Sequence, residues 1–132
     1  MRVGIVGSRR YEDKTKIKDF IYKLKQQMPN VIIVSGGCKD GADKYAKKYA
    51  LELDVMYEEY PPFHHQHNLY CVLPEGVYGK PYKVSYYFVR NKQIAQNSDM
   101  VVGFIPEGIV SNGTNSTLKY AEKFDKKTII IR

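Results

Sequence analysis

The sequence has few of the residues that mark a secreted, metal-binding or membrane protein. Its 132 residues include no tryptophan and only three histidines, and its two cysteines, Cys38 and Cys71, form neither a metal-binding spacing nor a disulfide framework. No apolar run approaches the roughly 20 residues that a membrane-spanning helix needs, and residues 1–6 are too short an apolar run for a signal peptide. We therefore expect a cytoplasmic protein with no metal site and no membrane partner.

Two common nucleotide-binding motifs are also missing. The chain contains no G-x-x-x-x-G-K-[ST] motif, which excludes a P-loop, and residues 4–7 do not supply G-x-G-x-x-G. With 43% hydrophobic and 27% charged residues, the composition is that of a globular protein. The net charge of +7 favours an anionic partner. Because the lysines alternate with acids along predicted helices, as on solvated faces, we expect a small anion rather than a polynucleotide.

Predicted strands and helices alternate along the chain. Apolar runs predict strands at residues 2–6, 31–34, 55–58, 99–104 and 128–131, and helical spacing of apolar residues predicts helices at about 14–28, 42–53, 82–97 and 118–124. Parallel neighbouring strands need crossover connections, so this order predicts an α/β fold: a three-layer, Rossmann-like parallel sheet with helices on both faces. We expect residues 1–132 to form a single domain in which residues 60–81 are an irregular insertion loop.

Glycine-rich or polar turns follow three of the predicted strands. They are Gly7-Ser8-Arg9 after the first strand, Ser35-Gly36-Gly37 after the second and residues 106–117 after the fourth. Ligands of parallel sheets bind beyond the carboxyl ends of the strands, so we expect these turns to meet at a ligand crevice. Glycine allows close approach of the backbone to a ligand, and a helix N-terminus attracts anions. The alternative for each turn is a strand-to-helix connection that needs glycine for its geometry alone.

Two polar residues of the third predicted helix are further candidates. Asn91 lies on an otherwise apolar stripe with Val84, Phe88 and Ala95. A buried amide needs hydrogen-bond partners, so Asn91 either ties down a neighbouring loop or reaches a ligand. Arg90 is either a cation that meets the ligand or a surface ion-pair partner.

Six short motifs occur in a fixed order along most of the chain. They are Gly7-Ser8-Arg9, Ser35-Gly36-Gly37, Gly41-Ala42-Asp43, Arg90-Asn91, Asp99 and Gly113-Thr114. Together they resemble the SLOG superfamily, which groups the Smf/DprA and LOG proteins, and within it the YspA/YpsA-like branch. The resemblance implies a Rossmann-like sensor or binding protein that holds a small nucleotide or nucleotide-derived ligand through phosphate contacts.

The resemblance also implies which residues form the site. The implied ligand-binding residues are Gly7, Ser8, Arg9, Ser35, Gly36, Gly37, Gly41, Asp43, Arg90, Asn91, Pro106, Gly113 and Thr114. Asp43 would fix its turn by accepting backbone N–H bonds. On this hypothesis, Arg9→Ala and Gly37→Val each abolish stabilisation by the ligand and leave the fold intact.

An enzymatic alternative comes from the LOG members of the superfamily. They carry P-G-G-x-G-T-x-x-E, in which the Glu and a helix Arg serve hydrolysis of a nucleotide N-glycosidic or phosphoribosyl bond. Here Thr117 occupies the Glu position, and the start of the motif is stretched to Pro106-Glu107-Gly108 plus an insertion. A hydroxyl cannot stabilise an oxocarbenium-like centre or activate water as a carboxylate does, so binding is the favoured function. LOG-like hydrolysis with Arg90 and Glu107 in the catalytic roles stays open.

Residues 60–81 contribute histidines and aromatic side chains. His64 and His67, with Cys71 nearby, match no closed zinc set, and we expect them to be loop residues at the mouth of the crevice. The many tyrosines could stack on bases, which together with the positive charge leaves single-stranded nucleic-acid binding as a weaker alternative. Aromatic residues are also enriched at subunit interfaces, so a homodimer or higher oligomer stays open.

Overall fold

A computed structural model describes residues 1–37, 41–60 and 84–132 of the protein, in which five strands alternate with four helices. The strands are β1 (Arg2–Gly7), β2 (Ile32–Ser35), β3 (Met56–Glu59), β4 (Met100–Phe104) and β5 (Lys127–Ile131). The helices are α1 (Lys14–Gln27), α2 (Gly41–Glu52), α3 (Val84–Gln96) and α4 (Asn112–Lys123). The predicted insertion loop lies outside the described residues except for Tyr60, and so do the His64 to His67 cluster and Cys71.

The strands form one all-parallel sheet in the order β3-β2-β1-β4-β5. Helices α1 and α2 pack on one face, and α3 and α4 pack on the other. This arrangement confirms the predicted three-layer, Rossmann-like α/β fold. Gly7 pairs with Phe104, so β1 and β4 end side by side at the point where the strand order reverses.

The strands of the sheet centre are apolar on both faces because each face is covered by helices. On the α1 and α2 side, Ile5 packs with Ile17 and Ile21 of α1, which lie one helical turn apart. On the other side, Val6 packs with Ile94 of α3 and with residues of α4. The β-branched runs that predicted buried strands therefore fill two separate hydrophobic clusters.

Two helix starts show how local chemistry sets the boundaries. Asp13 caps α1 as predicted, because its carboxylate accepts a hydrogen bond from the Lys16 backbone N–H at 3.3 Å. Helix α4 begins at Asn112, so the prediction of a turn through residue 117 is wrong. Thr114 and Thr117 are buried on the same face of α4, and the Thr117 hydroxyl donates to the Gly113 carbonyl at 3.2 Å. The Thr117 hydroxyl thus bonds within the helix instead of breaking it.

The predicted apolar stripe of α3 is confirmed at Asn91 and Ala95, both of which are buried. The side chains of Val84 and Phe88 lie outside the described part of the structure. Across the described ranges, no helix combines the length and the apolar character that crossing a membrane requires.

Candidate functional site

A crevice of about 690 Å³ opens beside the carboxyl end of β1, where the strand order reverses. Its walls come from the loop after β1, the first turn of α2, the middle of α3 and the segment that leads into α4. The described residues that line it are Val6, Gly7, Ser8, Arg9, Arg10, Asp43, Arg90, Asn91, Ile94, Gly108, Ile109, Val110, Ser111, Asn112, Gly113, Thr114 and Thr117. This is the position at which parallel sheets of this kind bind ligands.

The crevice brings together site residues that are far apart in the sequence. Of the residues that the sequence implied, Gly7, Ser8, Arg9, Asp43, Arg90, Asn91, Gly113 and Thr114 line it. Arg10, Ile109 and Val110 also line the crevice, although no motif singles them out. Arg10 could have been inferred from its position next to Arg9, whereas the path of the loop that carries Ile109 and Val110 has no sequence signal.

The loop after β1 is fixed by hydrogen bonds at Ser8, which is itself buried. The Ser8 N–H donates to the Phe104 carbonyl at 3.0 Å, and the Ser8 carbonyl accepts from Tyr11 and Ala42 at 3.1 and 3.2 Å. The Ser8 hydroxyl accepts from the Arg10 N–H at 3.0 Å. Arg9 and Arg10 therefore project from a short loop whose backbone is held against β4 and α2.

Glycines in this region are required by close packing. A Cβ on Gly7 would overlap the Phe104 carbonyl and the Ala42 side chain. Gly41 has φ +71°, and a Cβ there would overlap the backbone of Ser8 and Arg9. These two glycines allow β1, α2 and the loop that carries Arg9 and Arg10 to pack closely. For the glycine turns, the sequence left open a role in ligand contact or a role in geometry alone, and this packing is the geometric role.

The described residues of the turn after β2 are not part of the crevice lining. Ser35 is fully buried, and its hydroxyl donates to the Ile5 carbonyl at 2.8 Å. Gly37 has φ +72°, and a Cβ at this position would overlap the Glu59 carboxyl group. Gly37→Val would therefore disturb the fold, which corrects the expectation that it leaves the fold intact.

A buried polar cluster supports that turn. Glu59 is 1% exposed, and its carboxylate accepts a hydrogen bond from the Tyr57 hydroxyl at 3.0 Å and lies 3.5 Å from the Lys47 ammonium. Burial, followed by the nearby carboxylates of Glu59 and Asp43, raises the pKa of Tyr57 well above its usual 10.0. Sequence patterns did not identify this cluster, because an acidic residue at the end of a strand is usually exposed.

Arg90 and Asn91 of α3 connect the turn after β2 with the start of α4. The Arg90 guanidinium donates from Nη1 to the Gly36 carbonyl at 3.0 Å and from Nε to Asn91 Oδ1 at 2.9 Å. Asn91 Nδ2 in turn donates to the Gly113 carbonyl at 3.4 Å. A Cβ on Gly36 would overlap the guanidinium, so Gly36 lies directly against Arg90. Asn91 thus ties neighbouring elements together, one of the two roles that the sequence left open.

The N-terminus of α4 faces the crevice at residues 112–114. The first N–H groups of a helix have no partner within the helix, and Ser111, at the cap position, makes no side-chain hydrogen bond to them. Its hydroxyl instead lies 2.7 Å from the Thr114 hydroxyl. Among the described residues, no atom apart from those of its chain neighbours and its own helix backbone lies within 4 Å of the position that a Cβ would take on Gly113. A small anion therefore has room to approach this end of the helix.

The charges of the described lining are three arginines, Arg9, Arg10 and Arg90, and one carboxylate, that of Asp43. Glu107 is exposed and Pro106 half-buried, and neither is among the lining residues. Thr117 lines the crevice at the position of the LOG glutamate, but it is only 1% exposed and its hydroxyl bonds to Gly113. The arrangement suits the holding of an anion better than acid–base chemistry on it.

Asp99 carries part of the family resemblance but lies away from the crevice. It precedes β4, at the amino end of the strand, and its carboxylate accepts a hydrogen bond from the Arg2 backbone N–H at 2.8 Å. Asp99 therefore joins the starts of β1 and β4, at the edge of the sheet opposite the site.

Residues 1–67 match the family model described as YAcAr, the YspA, cpYpsA-related SLOG family. The fold is similar to that of the molybdenum cofactor binding protein from the phototrophic bacterium Rippkaea orientalis, with a TM-score of 0.70, 19% identity, and coverage of 98% of this chain and 74% of that chain. It is also similar to the molybdenum cofactor carrier protein MCP from Chlamydomonas reinhardtii, with a TM-score of 0.67, 17% identity and the same coverages of 98% and 74%. The comparison with curated protein sequences gives no match.

Proposed function

This chain belongs to the YspA, cpYpsA-related SLOG family, and from that premise we propose that it binds a small nucleotide or nucleotide-derived ligand through phosphate contacts. The ligand lies in the crevice beside the end of β1, with its phosphate between the loop after β1 and the start of α4. The protein acts as a binding protein or sensor and does not cleave the ligand.

The observation that carries the proposal is the convergence of positive charge on one crevice. Arg9 and Arg10 project from a loop whose backbone is fixed, Arg90 lies against the Gly36 carbonyl, and the N-terminus of α4 faces the same space. Arginine offers paired N–H donors that match the oxygens of a phosphate, and a helix N-terminus adds partial positive charge. Such a combination favours a phosphate group over a neutral ligand.

The remaining surface of the crevice suits a ring system. Its apolar lining includes the buried side chains of Val6 and Ile94 and the more exposed side chains of Ile109 and Val110. A volume of about 690 Å³ exceeds that of a phosphate ion and lies within the range of roughly 300–1,000 Å³ that is usual for small-molecule sites. A ligand with a phosphate at one end and a flat heterocycle at the other would use both parts.

The molybdenum cofactor is a second candidate ligand, because the two solved proteins of similar fold bind or carry it. That cofactor joins a pterin ring to a phosphate, so it shares with nucleotides the chemistry that this crevice favours. None of the described lining residues is a cysteine or histidine, which are common protein ligands of transition metals. The phosphate contacts would therefore hold it here, as they would hold a nucleotide.

Hydrolysis of the LOG type is the enzymatic alternative. It requires a carboxylate beside the sugar, and the described lining offers only Asp43, while Glu107 lies outside it. Incubation with nucleoside monophosphates and dinucleotides, followed by chromatography for free base, distinguishes the two functions. We expect no base release, and release that Glu107→Gln abolishes would establish the hydrolase instead.

Mass spectrometry of small molecules that co-purify with the protein tests the binding function. We expect a phosphate-bearing heterocycle, a nucleotide or a pterin, in the wild-type protein. The same compound should be absent from Arg9→Ala and present in Lys23→Ala, a control that removes one exposed positive charge from α1. Retention of the compound by Arg9→Ala would remove the loop after β1 from the proposed site.

A further inference from the structure

We propose that Asn91 is a positioning residue, which fixes the guanidinium of Arg90 at the crevice wall and links it to the first turn of α4. The inference rests on the proposed anion-binding function, since it assigns the residue that sets the orientation of one of the cations. Asn91 acts through Arg90 and does not itself need to touch the ligand.

The side-chain amide of Asn91 makes two hydrogen bonds, one through its oxygen and one through its nitrogen. Its oxygen accepts from Arg90 Nε at 2.9 Å, and its nitrogen donates to the Gly113 carbonyl at 3.4 Å. Arg90 makes a second fixed contact, from Nη1 to the Gly36 carbonyl at 3.0 Å. Two nitrogens of one planar group are thereby held by two residues from different elements, which restrains the plane of the guanidinium as well as its position.

Asparagine is suited to this position because it supplies one acceptor and a donor group on the same short side chain. Aspartate would keep an acceptor for Arg90 but would place a carboxylate oxygen against the Gly113 carbonyl. Leucine would supply neither contact at similar size. Because Asn91 is 4% exposed, water does not readily replace a contact that is lost.

The orientation of Arg90 matters for recognition of an oxyanion. A guanidinium binds phosphate best when two of its N–H bonds face two phosphate oxygens in one plane, unlike the point charge of lysine. Without the contact to Asn91, Arg90 would keep its charge but would hold its guanidinium in this plane only part of the time. The hydrogen bond from Asn91 to the Gly113 carbonyl also fixes the position of Arg90 relative to the N-terminus of α4, the other part of the crevice proposed to bind the anion.

A double-mutant cycle with inorganic phosphate as the probe tests the inference. We expect Asn91→Leu to weaken phosphate binding about tenfold, close to the effect of Arg90→Ala, because contacts to a charged group are lost. In the Arg90→Ala background, Asn91→Leu should have no further effect. Additive losses would mean that Asn91 contacts the anion directly and would overturn the proposal.

A second measurement needs no ligand. In the ¹⁵N NMR spectrum of the free protein, the Arg90 Nε–H signal, assigned by its absence in Arg90→Ala, should be sharp and slow to exchange with water. Asn91→Asp should keep this signal, because it retains the acceptor, and Asn91→Leu should lose it. If Asn91→Leu keeps the signal, Asn91 does not position Arg90.

The two measurements separate the inference from the proposed function. If phosphate does not bind the wild-type protein, the anion-binding function fails, while the Arg90 signal still decides whether Asn91 orients the guanidinium. Melting curves of all variants exclude global unfolding as the cause, and Asn91→Ala, which also removes both hydrogen bonds, serves as the second variant if Asn91→Leu does not fold.

Discussion

Single glycines determine how closely the parts of the site approach one another. Gly36 lies against the Arg90 guanidinium and Gly37 against the Glu59 carboxyl group, and neither position has room for a Cβ. Gly113 is different, because the space around it is open among the described residues. Substitution by alanine therefore has opposite consequences at Gly36 and at Gly113.

We expect Gly36→Ala to lower the free energy of unfolding by about 1 kcal/mol, since its methyl group displaces the Arg90 guanidinium from its hydrogen bond to the Gly36 carbonyl. Gly113→Ala should raise it by up to about 0.5 kcal/mol, because alanine is a better helix residue than glycine even in the first turn and meets no neighbour. Denaturant unfolding of both variants measures the two values. A Gly36→Ala protein as stable as the wild type would show that Arg90 is not packed as described.

The buried tyrosine behind the site gives a prediction about alkaline pH. Unfolded Tyr57 ionises near pH 10, whereas in the folded protein its raised pKa keeps the proton to higher pH. Above pH 10 the folded state then binds more protons than the unfolded state, so stability falls as the pH rises, by up to about 1.4 kcal/mol per pH unit for one group. Tyr57→Phe should reduce this fall without abolishing it, because burial raises the pKa of Tyr11 as well.

The measurement is the free energy of unfolding of the wild-type protein and of Tyr57→Phe from pH 8 to pH 11. Tyr11→Phe is the matched control at pH 8: the Tyr11 hydroxyl has no hydrogen-bond partner among the described residues, so its loss should hardly change the free energy of unfolding. Loss of the Tyr57 hydroxyl removes a bond to Glu59 and should cost about 1 kcal/mol. Equal costs for the two variants would contradict the described cluster.

At the scale of single elements, helix α1 offers a test of local capping. Asp13→Ala should lower the free energy of unfolding by about 1 kcal/mol, because the Lys16 N–H loses its acceptor. Asp13→Asn should keep most of the stability, since the amide oxygen caps equally well. The midpoints of urea unfolding distinguish the two variants. An Asp13→Ala protein with the same free energy of unfolding as the wild type would mean that α1 depends on packing alone.

Most elements could be predicted because their apolar residues follow a clear period. Helix α1 has buried residues at Ile17, Ile21 and Leu24, and its capping aspartate and following proline mark both ends. The start of α4 could not be predicted, because asparagine, glycine, serine and threonine are typical of turns. Only tertiary structure shows that Thr114 packs near Gly103 and that Thr117 bonds within its helix.

At the scale of the whole molecule, strand order determines where the site lies. The sequence predicts which turns end at the carboxyl edge of a parallel sheet, but it carries no local signal that β4 lies beside β1. This neighbour relation brings the segment 108–114 to the same crevice as Arg9 and Arg10, whereas the described residues of the β2 turn are not part of the lining. The motif around Gly36 and Gly37 therefore supports Arg90 and α2 rather than lining the crevice.

The central claim is that the loop after β1 and the start of α4 together hold a phosphate. Titration of the ¹⁵N-labelled protein with inorganic phosphate tests it most directly, because each backbone N–H reports its own contact. We expect saturable shifts at residues 8–10 and 112–114, and binding about tenfold weaker in Arg9→Ala but unchanged in Lys23→Ala. Shifts that spread over the lysines of α1 and α2, or that Arg9→Ala leaves unaltered, would contradict the claim.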